Sequence, residues 1–82
     1  MYSLYILQCA DGSLYTGITV DIERRIKEHN SSHLGAKYTR ARRPVILVYS
    51  RRFRNRSHAS KEEARIKKLS RSEKLKLISR AV

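Results

Sequence analysis

Apolar and polar positions along the chain fall into short blocks. Tyr2 to Cys9 is β-branched, aromatic and apolar, and reads as a strand. Asp11-Gly12 is a hairpin turn signal, and Leu14 to Thr19, with Gly17 inside it, reads as the return strand. Neither strand alternates cleanly with polar residues, which predicts a hairpin covered on both faces. Thr19 or Asp21 can cap the next element. Ile22 and Ile26 lie four apart, as do Arg25 and His29, which is helical spacing. Asn30-Ser31-Ser32 and Gly35 end that helix. Residues 36–43 predict a short basic helix stopped by Pro44, and Val45 to Tyr49 gives the strongest strand signal. Arg51 to Arg56 reads as a basic loop. Ser57 or Ser60 can open a helix with Ala59, Ile66 and Leu69 on one side. Ser70 followed three residues later by Glu73 is a capping-box pattern and predicts a further helix over roughly 71–79. The order is β-β-α-(α)-β-α-α, an α+β fold with a small antiparallel sheet covered by helices.

Composition narrows the class. The chain has 82 residues, room for one small domain over 1–82, and 40% hydrophobic residues supply one modest core. The single cysteine, Cys9, excludes an internal disulfide and a cysteine-based zinc site. Its place in a strand predicts packing rather than reactivity. Apolar runs are a few residues long, against the ~20 needed to cross a membrane, so no membrane role is expected. The first ten residues carry no Lys or Arg and run into Asp11, unlike a signal peptide. A reduced, soluble, cytoplasmic protein is expected, with no obligate protein partner evident. Charge changes the picture most. Residues 1–23 hold three acids and no Lys or Arg, whereas residues 24–82 hold all nineteen bases against four acids, for a net charge of +12. Such an excess attracts polyanions, and nucleic acid ranks first. The arginines at 40–43 and 51–56 are too dense for an ordinary solvated face. Lys37, Arg40, Arg42, Arg43, Arg51, Arg52 and Arg54 are read as phosphate contacts.

No P-loop, dinucleotide-binding glycine pattern or paired-histidine helix is present. What stands out is Ser3-Leu4-Tyr5, then Tyr15-Thr16-Gly17, then Asp21-x-x-Arg24-Arg25-x-x-x-His29-Asn30, and later Glu62-Glu63. Together these residues resemble the GIY-YIG nuclease superfamily, in particular its small stand-alone bacterial members. The first tripeptide departs from Gly-Ile-Tyr but keeps its tyrosine. The likeness runs through Tyr38-Thr39 and Pro44-Val45 to the Glu63–Lys74 region, nearly the whole chain. It implies a central three-stranded antiparallel sheet flanked by helices. It implies hydrolysis of DNA phosphodiester bonds, DNA ahead of RNA, structure- rather than sequence-selective, in DNA repair or processing, with Mg²⁺ or Mn²⁺. Tyr5 would be the general base toward water, and Tyr15 would assist it or position the phosphate. Arg25 would stabilise developing charge, His29 would orient or deprotonate a tyrosine, and Glu63 would bind the metal. Larger members carry an asparagine after that glutamate, and the segment from Glu63 to Val82 has none. The alternative is a non-catalytic basic nucleic-acid-binding module; a basic accessory of a ribonucleoprotein ranks third.

Elementary chemistry agrees in kind. Phosphodiester cleavage needs a deprotonated attacking oxygen, positive charge at the non-bridging oxygens, and help for the leaving group. A tyrosine of pKa ~10 is a poor base at neutral pH, so Arg25 and a metal would have to lower it. Each residue also has a structural reading. Strand tyrosines usually pack, Arg25 and His29 could line a solvated helix face, and Glu63 could belong to a Ser60 capping box. Periodicity alone does not separate Glu62 from Glu63.

The turn decides whether the two tyrosines share a face. A two-residue turn would pair Ala10 with Ser13 and Tyr5 with Ile18, pointing Tyr5 away from Tyr15. A three-residue loop, Ala10-Asp11-Gly12, would pair Cys9 with Ser13, Leu7 with Tyr15 and Tyr5 with Gly17. The longer loop is expected, with Gly12 at positive φ and Gly17 leaving room across from Tyr5.

Overall fold

The first strand of the chain lies in the middle of the sheet. A computed structural model describes residues 1–31 and 33–80. In it β1 (Tyr2–Gln8) is flanked by β2 (Leu14–Thr19) and β3 (Ile46–Phe53), all antiparallel, in the order β2-β1-β3. The helices are α1 (Ile22–Ser31), α2 (Lys37–Arg40), α3 (Arg56–Lys67) and α4 (Arg71–Arg80). The expected α+β fold and element order are therefore present. Ser32, one of the residues expected to end the first helix, lies outside the described residues.

The hairpin takes the longer turn. The Cys9 N–H donates to the Ser13 carbonyl at 2.8 Å, and the Gly12 N–H closes the turn onto the Cys9 carbonyl at 2.9 Å. Gly12 has φ +84°, the left-handed conformation that a side chain resists. Asp11 Oδ1 accepts from the Ser13 N–H at 3.0 Å and from its hydroxyl at 2.6 Å, a local alternative to the shorter turn. Ala10 does not pair with Ser13; its N–H donates to the Arg42 carbonyl at 2.9 Å. The ladder then pairs Leu7 with Tyr15 and Tyr5 with Gly17. An added Cβ at Gly17 would stand 2.5 Å from the Tyr5 hydroxyl oxygen, so the tyrosine occupies the space that glycine leaves.

Alternation along the central strand divides the core in two. Tyr5, Leu7 and Cys9 join Val45 on one face, backed by Ile22 and Ile26 of α1. Leu4 and Ile6 meet Ile66 of α3 on the other, with Leu69, Leu77 and Ile78 packed around them. Both faces of β1 are buried, which is why its sequence lacks a polar period.

Three elements differ in their bounds, the short basic helix expected over 36–43 first among them, since it spans only Lys37–Arg40. The third strand begins at Ile46 and runs to Phe53, because Arg51, Arg52 and Phe53 pair with Leu4, Ser3 and Tyr2. Sheet pairing overrides the modest strand preference of arginine, so much of the expected basic loop is strand. The third helix opens at Arg56, earlier than Ser57 or Ser60. Its cap is Asn55, whose Oδ1 accepts from the His58 N–H at 2.9 Å. Other caps follow the pattern. Asp21 Oδ1 accepts from the Arg24 N–H at 3.1 Å. Ser70 and Glu73 form the reciprocal pair, with Glu73 Oε1 taking the Ser70 N–H at 3.0 Å and Ser70 Oγ the Glu73 N–H at 3.2 Å.

Gly17→Ala should therefore behave as overpacking. We expect a loss of about 1–3 kcal/mol in denaturant unfolding, with displacement of the Tyr5 ring visible by NMR. Stability equal to wild type would mean that Gly17 is not required for the tyrosine's seat.

Candidate active site

One end of the Tyr5 face gathers the residues that the sequence singled out. β1 supplies Tyr5, β2 supplies Tyr15 two pairs nearer the turn, and α1 supplies Arg25 and His29 from consecutive turns of one face. The ring centroids lie 6.4 Å apart for Tyr5 and Tyr15, 5.8 Å for Tyr5 and His29, and 5.2 Å for Tyr15 and His29. Three aromatic rings thus meet around one point.

Tyr5 is 2% exposed and His29 is fully buried. The Tyr5 hydroxyl lies 2.9 Å from His29 Nε2, and His29 Nδ1 lies 2.7 Å from the hydroxyl of Thr39, itself fully buried on α2. Burial pushes the Tyr5 phenol up to about 12; the Arg25 guanidinium opposes this, while Tyr15 and Glu63 add to it. Arg25 lowers the phenol in the required direction, but desolvation outweighs the guanidinium. Burial, reinforced by the Arg25 and Arg43 charges and opposed by Glu28, lowers His29 to about 4. The resting pair is a neutral phenol against a neutral imidazole.

Arg25 is held rather than loose. Its Nη1 donates to Glu28 Oε1 and to the Leu34 carbonyl, both at 2.8 Å. Its side chain keeps 26% exposure, so it faces both the tyrosine and solvent. Glu28 went unnoticed in the sequence, although its spacing from Arg25, one helical turn, was the available signal. Thr39 falls within the Tyr38-Thr39 stretch of the resemblance, but no local pattern marks it as a partner of His29.

The two glutamates of α3 separate clearly. Glu62 takes a two-pronged hydrogen bond from Arg65, at 2.7 Å from both Nε and Nη2, and lies 3.5 Å from Arg51 of β3. Those arginines hold its carboxyl below the usual range. Glu63 pairs with Lys67 at 3.3 Å, keeps 23% exposure, and is the glutamate whose charge reaches Tyr5. It lies in mid-helix, so the capping role considered for it is ruled out. Among the described residues no group of three His, Cys, Asp or Glu side chains gathers to cage a metal. A lone, partly exposed carboxylate fits a hard divalent ion that keeps most of its water and gains substrate phosphate oxygens.

The basic residues divide into two sets. Arg42 donates from Nε to Asp11 Oδ2 at 3.1 Å and from Nη1 to the Tyr38 carbonyl at 2.9 Å. Its guanidinium covers the Tyr38 ring, 3.9 Å from the centroid, and Tyr38 stacks on Tyr15 at 5.9 Å. Arg43 donates from Nε to the His29 carbonyl at 2.5 Å and from Nη2 to that of Glu28 at 3.3 Å, which secures the last turn of α1. Lys37 and Arg40 on α2, and Arg51, Arg52 and Arg54 at the end of β3, are exposed. Asn30 ties the same helix to the strand side, exchanging hydrogen bonds with the Val45 backbone at 2.7 and 3.1 Å.

A family model described as the GIY-YIG catalytic domain matches residues 1–76. A UPF0213 protein of Desulfotalea psychrophila is 63% identical over 92% of this chain and 68% of its own length. One from Staphylococcus saprophyticus is 58% identical over 93% and 92%. The solution NMR structure of a UPF0213 protein from Bacillus halodurans superposes with a TM-score of 0.62 at 49% identity, covering 96% of this chain and 84% of that one. An Enterococcus relative, the E. faecalis protein solved by NMR, gives 0.66 at 45% identity, covering 95% and 82%.

The buried imidazole predicts a pH dependence of stability. Folded His29 takes its proton near pH 4, against 6.5 for a free histidine. Above pH 6.5 both folded and unfolded chains hold it neutral, and stability is full. As pH falls from 6.5 to 4 the unfolded chain binds a proton that the folded chain refuses, so stability drops by roughly 3 kcal/mol. Denaturant unfolding of wild type and His29→Leu across this window should show a steeper drop in wild type, on top of the fall near pH 4 that the lowered Glu62 and Glu73 carboxyls give both. Parallel curves would mean that His29 is charged in the folded chain.

Proposed function

Because the chain belongs to the GIY-YIG catalytic-domain family, we propose that it is a metal-dependent endonuclease hydrolysing DNA phosphodiester bonds. The family implies a nuclease module and a nucleic-acid substrate. The finer reading is selection by DNA structure rather than sequence, within repair or processing, by one domain spanning residues 1–82. The observation that carries it is the convergence of Tyr5, Tyr15, Arg25 and His29 from three elements, with the Glu63 charge acting on Tyr5 from a fourth.

The geometry supports the following division of labour. Tyr5 is a phenol at neutral pH and gives up its own proton as it takes one from water. His29 Nε2, 2.9 Å from the hydroxyl, is the acceptor. Neither proton transfer is favourable as a separate step, given a phenol near 12 and an imidazole near 4, so the two transfers are coupled. Arg25, fixed by Glu28 and the Leu34 carbonyl, presents charge to the non-bridging oxygens without reorganising. Tyr15, backed by Tyr38, holds the phosphate against that charge. Glu63 would hold Mg²⁺ or Mn²⁺, which supplies Lewis-acid polarisation of the phosphate and helps the leaving oxygen depart. Lys37, Arg40, Arg51, Arg52 and Arg54 are the exposed contacts for the flanking backbone, so binding reads phosphates and shape. Arg42 and Arg43 serve the same interface indirectly by holding Tyr38 and α1.

Burial of the Tyr5 hydroxyl favours a second reading, a basic module that binds nucleic acid and does not cut it. A cleavage panel of single-stranded, duplex, nicked, flapped and branched DNA with Mg²⁺ or Mn²⁺ separates the two. We expect cutting of at least one branched or flapped substrate. Glu63→Gln should abolish it while leaving DNA affinity equal or slightly tighter, since a negative charge near the phosphate is removed. Binding without cutting across the panel would establish the second reading. Cutting by Glu63→Gln at the wild-type rate would remove Glu63 as the ligand.

A further inference from the structure

The buried hydrogen bonds continue beyond the tyrosine–histidine pair. Thr39 Oγ1 lies 2.7 Å from His29 Nδ1 and 3.0 Å from the Ala36 carbonyl oxygen. A carbonyl only accepts, and a threonine hydroxyl has one proton to give. If that proton goes to Ala36, Thr39 accepts from an Nδ1–H, and both contacts are hydrogen bonds. If it went instead to Nδ1, two oxygens would face each other at 3.0 Å with no proton between them. The other end of the imidazole gives the same answer. Arg25 faces the Tyr5 oxygen and can only donate, so the tyrosine's own proton points to His29, and Nε2 is the bare nitrogen.

We propose that Thr39 is a positioning residue for the Tyr5–His29 pair: its hydroxyl, directed by the Ala36 carbonyl, holds the Nδ1–H tautomer and leaves Nε2 open to the Tyr5 proton. The other tautomer would place Nε2–H against the phenol, and His29 could then orient Tyr5 but not deprotonate it. Coupled transfer moves one proton from water to Tyr5 Oη and one from Tyr5 to Nε2. The charge that forms on the imidazole is shared through Nδ1–H with Thr39. His29 and Thr39 are fully buried, which excludes the water that would otherwise satisfy either tautomer of the imidazole at Nδ1. The catalytic part of this inference rests on the nuclease reading, whereas the tautomer does not.

The test is a nitrogen-15 correlation spectrum of the His29 ring in wild type, Thr39→Val and Thr39→Ser, with kcat and KM on a cleaved substrate. Wild type and Thr39→Ser should show Nδ1 protonated and Nε2 bare. Thr39→Val should lose that assignment. Its kcat should drop roughly 100-fold, with KM within about twofold of wild type. Thr39→Ser should recover most of the rate. An Nε2–H tautomer in wild type would overturn the inference, even if Thr39→Val fails to fold. So would full kcat in a folded Thr39→Val. If wild type cuts nothing, the nuclease reading fails alone, and the spectra still decide what Thr39 does.

Discussion

The hydrogen bond between Tyr5 and His29 constrains most of the molecule. A phenol and an imidazole are both costly to bury, and each is tolerated because the other is there. Bringing them within 2.9 Å requires Tyr5 on the α1 face of the sheet, a hairpin register that leaves no side chain across from it, and a helix placed to deliver His29. The bulged turn at Gly12 meets the second condition. The Asp21 cap, the Asn30 bridge to Val45 and the Arg43 contacts to the end of α1 meet the third. Secondary structure far from the chemistry is thereby tied to one contact.

A surplus of cations serves two ends. Arg25, Arg42 and Arg43 act inward, on carbonyl oxygens, a carboxylate or a ring, and Arg25 and Arg43 set positive charge beside His29. That charge disfavours an imidazolium at rest and presents the right sign to an incoming phosphate. Lys37 and Arg40 of α2, with Arg52 and Arg54 at and just beyond the end of β3, are exposed to solvent or a polyanion, whereas Arg51 also pairs with Glu62. Glu62 and Glu63, adjacent in sequence, follow the same division: one is absorbed by Arg65 and Arg51, the other acts on the site.

Much of this was legible from residue order. Local signals sufficed where the physics is local: the strands of the hairpin, the Ser70–Glu73 box, the spacing of Arg25 and His29, and the turn parity that places Tyr5 opposite Gly17. They failed where distant segments decide. Nothing near Arg51 and Arg52 announces a strand, because their strand character comes from pairing with β1. The start of α3 lies earlier than expected because Asn55, Ser57 and Ser60 are all capping residue types and only geometry selects Asn55. Thr39 belonged to the quoted likeness but its role was illegible, since a threonine in a short basic helix is unremarkable until the fold sets it against an imidazole. The inward hydrogen bonds of Arg42 and Arg43 were equally illegible, because Asp11 and the last turn of α1 are brought to them by the fold.

The central claim is that Tyr5 and His29 stabilise each other as a buried pair, and a double-mutant cycle in unfolding free energy tests it most directly. Tyr5→Phe leaves the imidazole without its partner, His29→Leu leaves the phenol without an acceptor, and the double variant removes both groups. The account predicts that each single variant costs about 1–3 kcal/mol and that the double costs less than their sum by at least ~1 kcal/mol. Additivity within ~0.3–0.5 kcal/mol, the margin expected of independent sites, would contradict it.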